Sequence, residues 1–242
     1  MFYSHRKKIN FVTQNQSIMF QITPAPLDLE IIYHIIRNNE QLELSEESRK
    51  RIVDCREYLD QKIERSENPT YGINTGFGSL YKVEINRHEL EQLQENLVKS
   101  HACGSGPYVE EEIVRLMLLF KIHALSLGHS GVQLSTVELL IELFNRNITP
   151  VIYEQGSLGA SGDLAPLAHL SLALLGQGEV WYEGEIVSTS EVFEELGISA
   201  ATLRSKEGLA LLNGTQFMSA HGVKALIDGY HLLYFADLIA SI

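Results

Sequence analysis

Three segments of this 242-residue chain carry more glycine and small polar residues than packing asks for, and each places a chemically competent side chain beside them. The first is Tyr71-Gly-Ile-Asn-Thr-Gly-Phe-Gly, where Tyr71 offers a phenol that acts as a base if its pKa is lowered. Its glycines match neither a dinucleotide fingerprint nor a P-loop, since no Gly-Lys-Ser/Thr follows, and a plain turn-rich loop accounts for them equally well. The second, Ser100-His101-Ala-Cys103-Gly-Ser-Gly, sets an imidazole before a glycine turn. His101 and Cys103 stand two apart with no third ligand nearby, so no metal is expected, and a hydrogen-bonded loop histidine is the plainer account.

The third segment, Gly156-Ser-Leu-Gly-Ala160-Ser161-Gly162-Asp163, resembles a nucleophile elbow around Ser161 but fails the pattern because Asp163 follows Gly162. Ala-Ser-Gly has a different chemistry open to it. The Gly162 amide nitrogen, with no β-carbon beside it, can attack the Ala160 carbonyl, and loss of water closes a five-membered ring. Elimination of the Ser161 hydroxyl as a second water leaves an exocyclic methylene, an electrophile that no ordinary side chain provides. The tripeptide is common, so its neighbours carry the argument. Asp163 stands where it would cap a helix starting at Leu164.

The elements that must position these residues are mainly helical. Ser45 with Glu46 and Glu47 opens a helix whose face holds Ile52, Cys55, Leu59 and Ile63. Ile113, Leu116, Phe120, Ala124 and Leu127 repeat the period behind three glutamates at the positive end of the helix dipole. Ser135 and Glu138 read as a capping box for the next helix. Val180, Tyr182 and Ile186 alternate around Glu183-Gly184 as one small hairpin, and His169 falls on an apolar helix face, as a satisfied core histidine does. A last helix begins at Thr215 and carries an apolar stripe through Leu226, Leu233 and Ala240, with no terminating Gly, Pro or basic turn.

Composition limits the partners. Lys+Arg 19 against Asp+Glu 31 gives a formal charge of -12, which repels phosphate backbones and anionic lipid, so neither nucleic acid nor a membrane is an expected partner. Two cysteines are too few for a disulfide framework, no apolar run reaches the length of a membrane span, and no secretory h-region follows Arg6, Lys7 and Lys8. A cytoplasmic protein is expected, with residues 1–21 a loose extension in which Met19 competes with Met1 as the start.

Taken in order, the Tyr71 segment, the Gly156 segment continued through Leu-Ala-Pro-Leu-Ala-His169, and Gly208-Leu-Ala-Leu-Leu-Asn213-Gly-Thr-Gln resemble the aromatic amino-acid lyase family, from about Pro26 to the last residue. The resemblance implies a mainly α fold of long bundled helices with a small β-hairpin, in which residues 22–242 form the N-terminal part, truncated within the central bundle. It implies a homotetramer and an autocatalytic 4-methylidene-imidazol-5-one group on Ala160, Ser161 and Gly162, with no metal. Tyr71 matches the base that removes the substrate β-proton, His101 the residue that recognises the substrate ring, and Asn213 the residue that steadies negative charge on the prosthetic ring.

Phenylalanine-acting members resemble Phe-Leu where this chain has Ser100-His101, whereas Leu97-Val-Lys-Ser-His and Leu211-Leu-Asn-Gly-Thr-Gln-Phe-Met-Ser are similar to members acting on L-histidine. Histidine deamination to trans-urocanate is therefore the implied activity. Some tyrosine lyases and aminomutases share Ser-His and remain the alternative within the family. An alternative of another class is a truncated, non-catalytic fragment that needs a separate C-terminal half.

Overall fold

The computed structural model describes residues 19–65, 90–159 and 162–242. Strand β1 (Met19–Ile22) pairs in parallel with β2 (Gln41–Leu44) across helix α1 (Leu29–Arg37), whose first turn is capped by Asp28 accepting from the Ile31 amide at 2.8 Å. Residues 19–21 thus belong to a strand rather than to the expected loose extension, because their amides and carbonyls are needed by the Gln41–Glu43 edge.

Helix α2 (Glu46–Arg65) starts where the sequence places it: Ser45 Oγ accepts from the Ser48 amide at 3.1 Å, and two glutamates fill the first turn. Its buried face runs Ile52, Arg56, Leu59, so an arginine takes the place in the stripe expected for Cys55. Arg56 is tolerated there because it donates to the carbonyls of Gly131 and Ser205, each at 3.0 Å, and pairs with Asp60.

The core is built around helix α4 (Glu111–Ser126), which packs against α2, α5 (Leu134–Asn145) and the later α9. Leu116, Met117, Leu118 and Leu119 are all fully buried, so this stretch of α4 is covered around its whole circumference rather than along the single stripe its periodicity suggests. The Ser135–Glu138 capping box does not form. Gln133 is the N-cap of α5, with no side-chain cap of its own. Glu207, buried on the short helix α8 (Glu207–Leu212), instead accepts from the Gln133 amide (2.8 Å) and Thr136 Oγ1 (2.7 Å), while Glu138 pairs with Arg49. A buried carboxylate with several donors outcompetes a solvent-exposed local box.

Helix α3 (Leu90–His101) leads into β3 (Ser105–Tyr108), which pairs antiparallel with β5 (Tyr153–Gln155). The expected hairpin is present as β6 (Glu179–Tyr182) and β7 (Glu185–Ser188), joined by Glu183 and Gly184 at φ 52° and 85°, the signs a two-residue I′ turn requires. Strand β4 (Thr149–Pro150) adds a third member on the β6 side. Helices α6 (Leu164–Leu174) and α7 (Thr189–Leu196) flank this sheet, and α9 (Gln216–Ala240) closes the described chain. No helix among the described residues is long and apolar enough to cross a membrane.

Candidate active site

The glycine-rich segment between β5 and α6 owes its path to three positive φ angles: Gly156 at 133°, Gly159 at 76° and Gly162 at 85°. Gly159 and Gly162 face each other in an isolated antiparallel bridge. Ala160 and Ser161, which link them in sequence, lie outside the described residues, as does Tyr71 with its whole segment. At Gly162 the backbone is hemmed in as well as left-handed: a β-carbon would lie 2.3 Å from the Gly214 carbonyl oxygen. Only glycine fits there. The next residue continues the contact, since the Asp163 amide donates to that same Gly214 oxygen at 2.9 Å.

Gly214 follows Asn213, the C-cap of α8, so two of the sequence motifs meet backbone to backbone. Asn213 is exposed, and its Nδ2 donates to the Leu209 carbonyl at 2.9 Å, which uses one of its two amide protons and leaves the other. Asp163 precedes α6 but makes no side-chain cap there. Its buried carboxylate accepts instead from the Met218 amide in the first turn of α9 at 3.1 Å. The expected local cap is thus replaced by a long-range one, which ties the glycine segment to the start of the last helix.

The second motif closes the site from the other side. Ser100, His101 and Cys103 share a cavity of about 220 Å³ with Leu158, Gly159, Gly162 and Leu164. Leu158 is 91% exposed, standing at the rim rather than packed as a wall. His101 is the last residue of α3, not a loop residue, and its Nδ1 lies 2.9 Å from the Leu97 carbonyl. A carbonyl only accepts, so Nδ1 carries the proton and Nε2 is left as an acceptor. Ser100 Oγ, 3.0 Å from the same nitrogen and 2.9 Å from Leu97 O, holds the ring in this arrangement. Behind it, the Gly104 amide donates to His169 Nε2 at 2.9 Å, and burial lowers the His169 pKa, so His169 is the satisfied interior histidine its helix face suggests.

None of the sequence motifs includes Lys121. In the structure it is 1% exposed, and its Nζ donates to the carbonyls of Ala210 (3.1 Å) and Asn213 (3.0 Å) at the end of α8. Burial brings its pKa down to about 7, against the opposing field of Asp163. The signal available was the charge itself, since a lysine inside an otherwise apolar helix must have partners.

In sequence and in fold the chain is similar to known proteins. The histidine ammonia-lyase of Deinococcus radiodurans is 49% identical over 220 residues, a match covering 91% of this chain and 42% of that relative. Among solved structures, histidine ammonia-lyase from Trypanosoma cruzi superimposes with a TM-score of 0.79 at 37% identity, covering 87% of this chain and 41% of that one. Tyrosine aminomutase from Streptomyces globisporus gives a TM-score of 0.79 at 35% identity, covering 85% and 38%. The chain therefore spans less than half the length of each of these proteins. The family model described as aromatic amino acid lyase matches residues 27–242, which takes in all three glycine-rich motifs in their order, and the chain belongs to the aromatic amino acid lyase family.

Proposed function

We propose that this chain supplies the electrophile-bearing part of a histidine ammonia-lyase, which removes ammonia from L-histidine without oxidation and leaves trans-urocanate. The observation that carries the reading is the shared cavity of His101 and Gly162, in which His101 Nε2 has no hydrogen-bond partner among the described residues and can meet a substrate N–H. A 4-methylidene-imidazol-5-one formed from Ala160, Ser161 and Gly162 would supply an electrophile that turns the substrate amino group into a leaving group. The surroundings suit such a group. Gly162 admits no β-carbon, its neighbour Gly214 crowds it through a carbonyl, and Gln216 Oε1 beside Gly214 is a buried acceptor without a hydrogen-bond partner among the described residues.

Each remaining role falls to a group of this chain. His101 accepts the substrate ring's N–H and so fixes its distal end. Asn213, whose second amide proton is not used by Leu209, donates to negative charge developing at the electrophile. Tyr71 takes the β-proton. No metal enters this scheme. The complete enzyme is read as a cytoplasmic homotetramer, and the apolar face that α9 leaves exposed supports an assembly larger than one chain.

Tyrosine is the second substrate reading, because a phenol O–H can also donate to His101 Nε2 and a tyrosine aminomutase is equally similar in structure. The two separate in one assay on the active protein that contains this chain. Urocanate is expected from L-histidine in preference to coumarate from L-tyrosine, and His101→Leu should lower histidine turnover by at least ~10², about 2.7 kcal/mol of transition-state stabilisation. Faster coumarate release would transfer the assignment to tyrosine, and an unchanged histidine rate in the variant would remove His101 from the site.

A further inference from the structure

Lys121 lies in α4, among fully buried apolar residues, and its amine reaches the last turn of α8. The C-terminal carbonyls of a helix lack intrahelical partners and carry the negative end of its dipole, so an ammonium group is the natural donor for them. Burying a lysine for two carbonyls is nonetheless expensive when water or a polar surface residue would serve. What the lysine adds is location. It anchors the Asn213 carbonyl to the core, the following carbonyl of Gly214 receives the Asp163 amide and fills the space where a β-carbon of Gly162 would be, and the Asp163 carboxylate holds the first turn of α9.

We propose that Lys121 is a positioning residue for this site: it fixes the Asn213–Gly214 turn against Gly162 and so sets the geometry in which the Ala160–Ser161–Gly162 segment cyclises. Lys121 does not itself line the cavity shared by His101 and Gly162, so its effect passes through the Asn213–Gly214 turn. The inference rests on the prosthetic-group reading above.

The test compares the wild-type protein with Lys121→Met, which keeps the volume but removes every donor, and Lys121→Arg, which restores cation and donors. Two readouts are needed. One is the mass of the peptide spanning residues 156–163, which reports loss of two waters, and the other is hydrogen exchange at the Asp163 amide, which reports its bond to Gly214. In Lys121→Met, ring yield is expected to fall and Asp163 exchange to rise, each at least ~10-fold, while amides in the middle of α4 keep wild-type protection. Lys121→Arg should recover both.

A Lys121→Met protein that forms the ring at the wild-type rate with Asp163 equally protected would overturn the inference. If that variant does not fold, Lys121→Gln, which retains a donor, is read the same way: a partial ring yield supports the proposal and a full yield defeats it. A wild-type protein that never loses two waters, while Lys121→Met still speeds exchange at Asp163, would instead defeat the prosthetic-group reading and leave the anchoring role standing.

Discussion

Helices α4 and α9 lie against each other and are both rich in apolar residues, yet water meets them in opposite ways. In α4, Leu116 to Leu119 are wholly buried, and the one interior cation is spent on the end of α8. In α9, only Ala220 and Ile227 are buried, while Leu232, Leu233, Phe235 and Ile239 are between 55% and 70% exposed. The start of α9 belongs to the site, through the Met218 amide and Asp163, and its later turns form a surface. Apolar content alone therefore does not say whether a helix stabilises this chain. That depends on what the fold lays over it, and an apolar patch this continuous marks an interaction surface.

This contrast predicts very different costs for one kind of substitution. Leu118→Ala in α4 removes a fully buried side chain from a filled core and should cost about 2–5 kcal/mol of unfolding free energy, read as a lower urea midpoint at unchanged slope. A loss under ~1 kcal/mol would show that α4 is not the packed centre described above.

Lys121 sharpens the contrast through pH. Its pKa of about 7 in the folded protein lies below the ordinary 10.5, so between these values the unfolded chain binds more protons and stability rises with pH. The unfolding free energy of wild type relative to Lys121→Met should thus climb from about pH 7 towards pH 10.5, by at most ~1.4 kcal/mol per unit, with the slope vanishing below the folded pKa. Parallel curves for the two proteins would mean that burial does not lower the Lys121 pKa.

The smallest effect is expected on the open helix. Leu233→Ala, 58% exposed before substitution, should change unfolding free energy by less than ~0.5 kcal/mol in the isolated chain, measured by the same urea titration. A cost comparable to that of Leu118→Ala would erase the distinction between the two helices.

What could be read from the sequence was what is decided locally. The Ser45 cap, the Glu183-Gly184 turn and the existence of α4 and α9 follow from a few neighbouring residues. The lyase motifs also pointed to residues that the fold does bring together, since His101 and Gly162 share one cavity and Gly214, next to Asn213, packs on Gly162. The hidden features were those in which a polar side chain serves an element far away in sequence. Asp163 leaves its own helix to serve Met218, Glu207 caps Gln133 in place of the local box, Arg56 enters the face expected for Cys55, and Lys121 serves Asn213. Each is a buried polar group whose partner only the tertiary fold supplies, so periodicity and capping patterns are blind to it.

We propose that Ala160, Ser161 and Gly162 become the electrophile. Peptide mass spectrometry of the segment 156–163, taken from protein that releases ammonia from L-histidine, tests it most directly. The account predicts a wild-type segment lighter by two water molecules and a Ser161→Ala segment without that loss, because alanine has no hydroxyl to eliminate, with activity gone in the variant. A wild-type segment at its full unmodified mass in protein that still deaminates histidine would contradict the account.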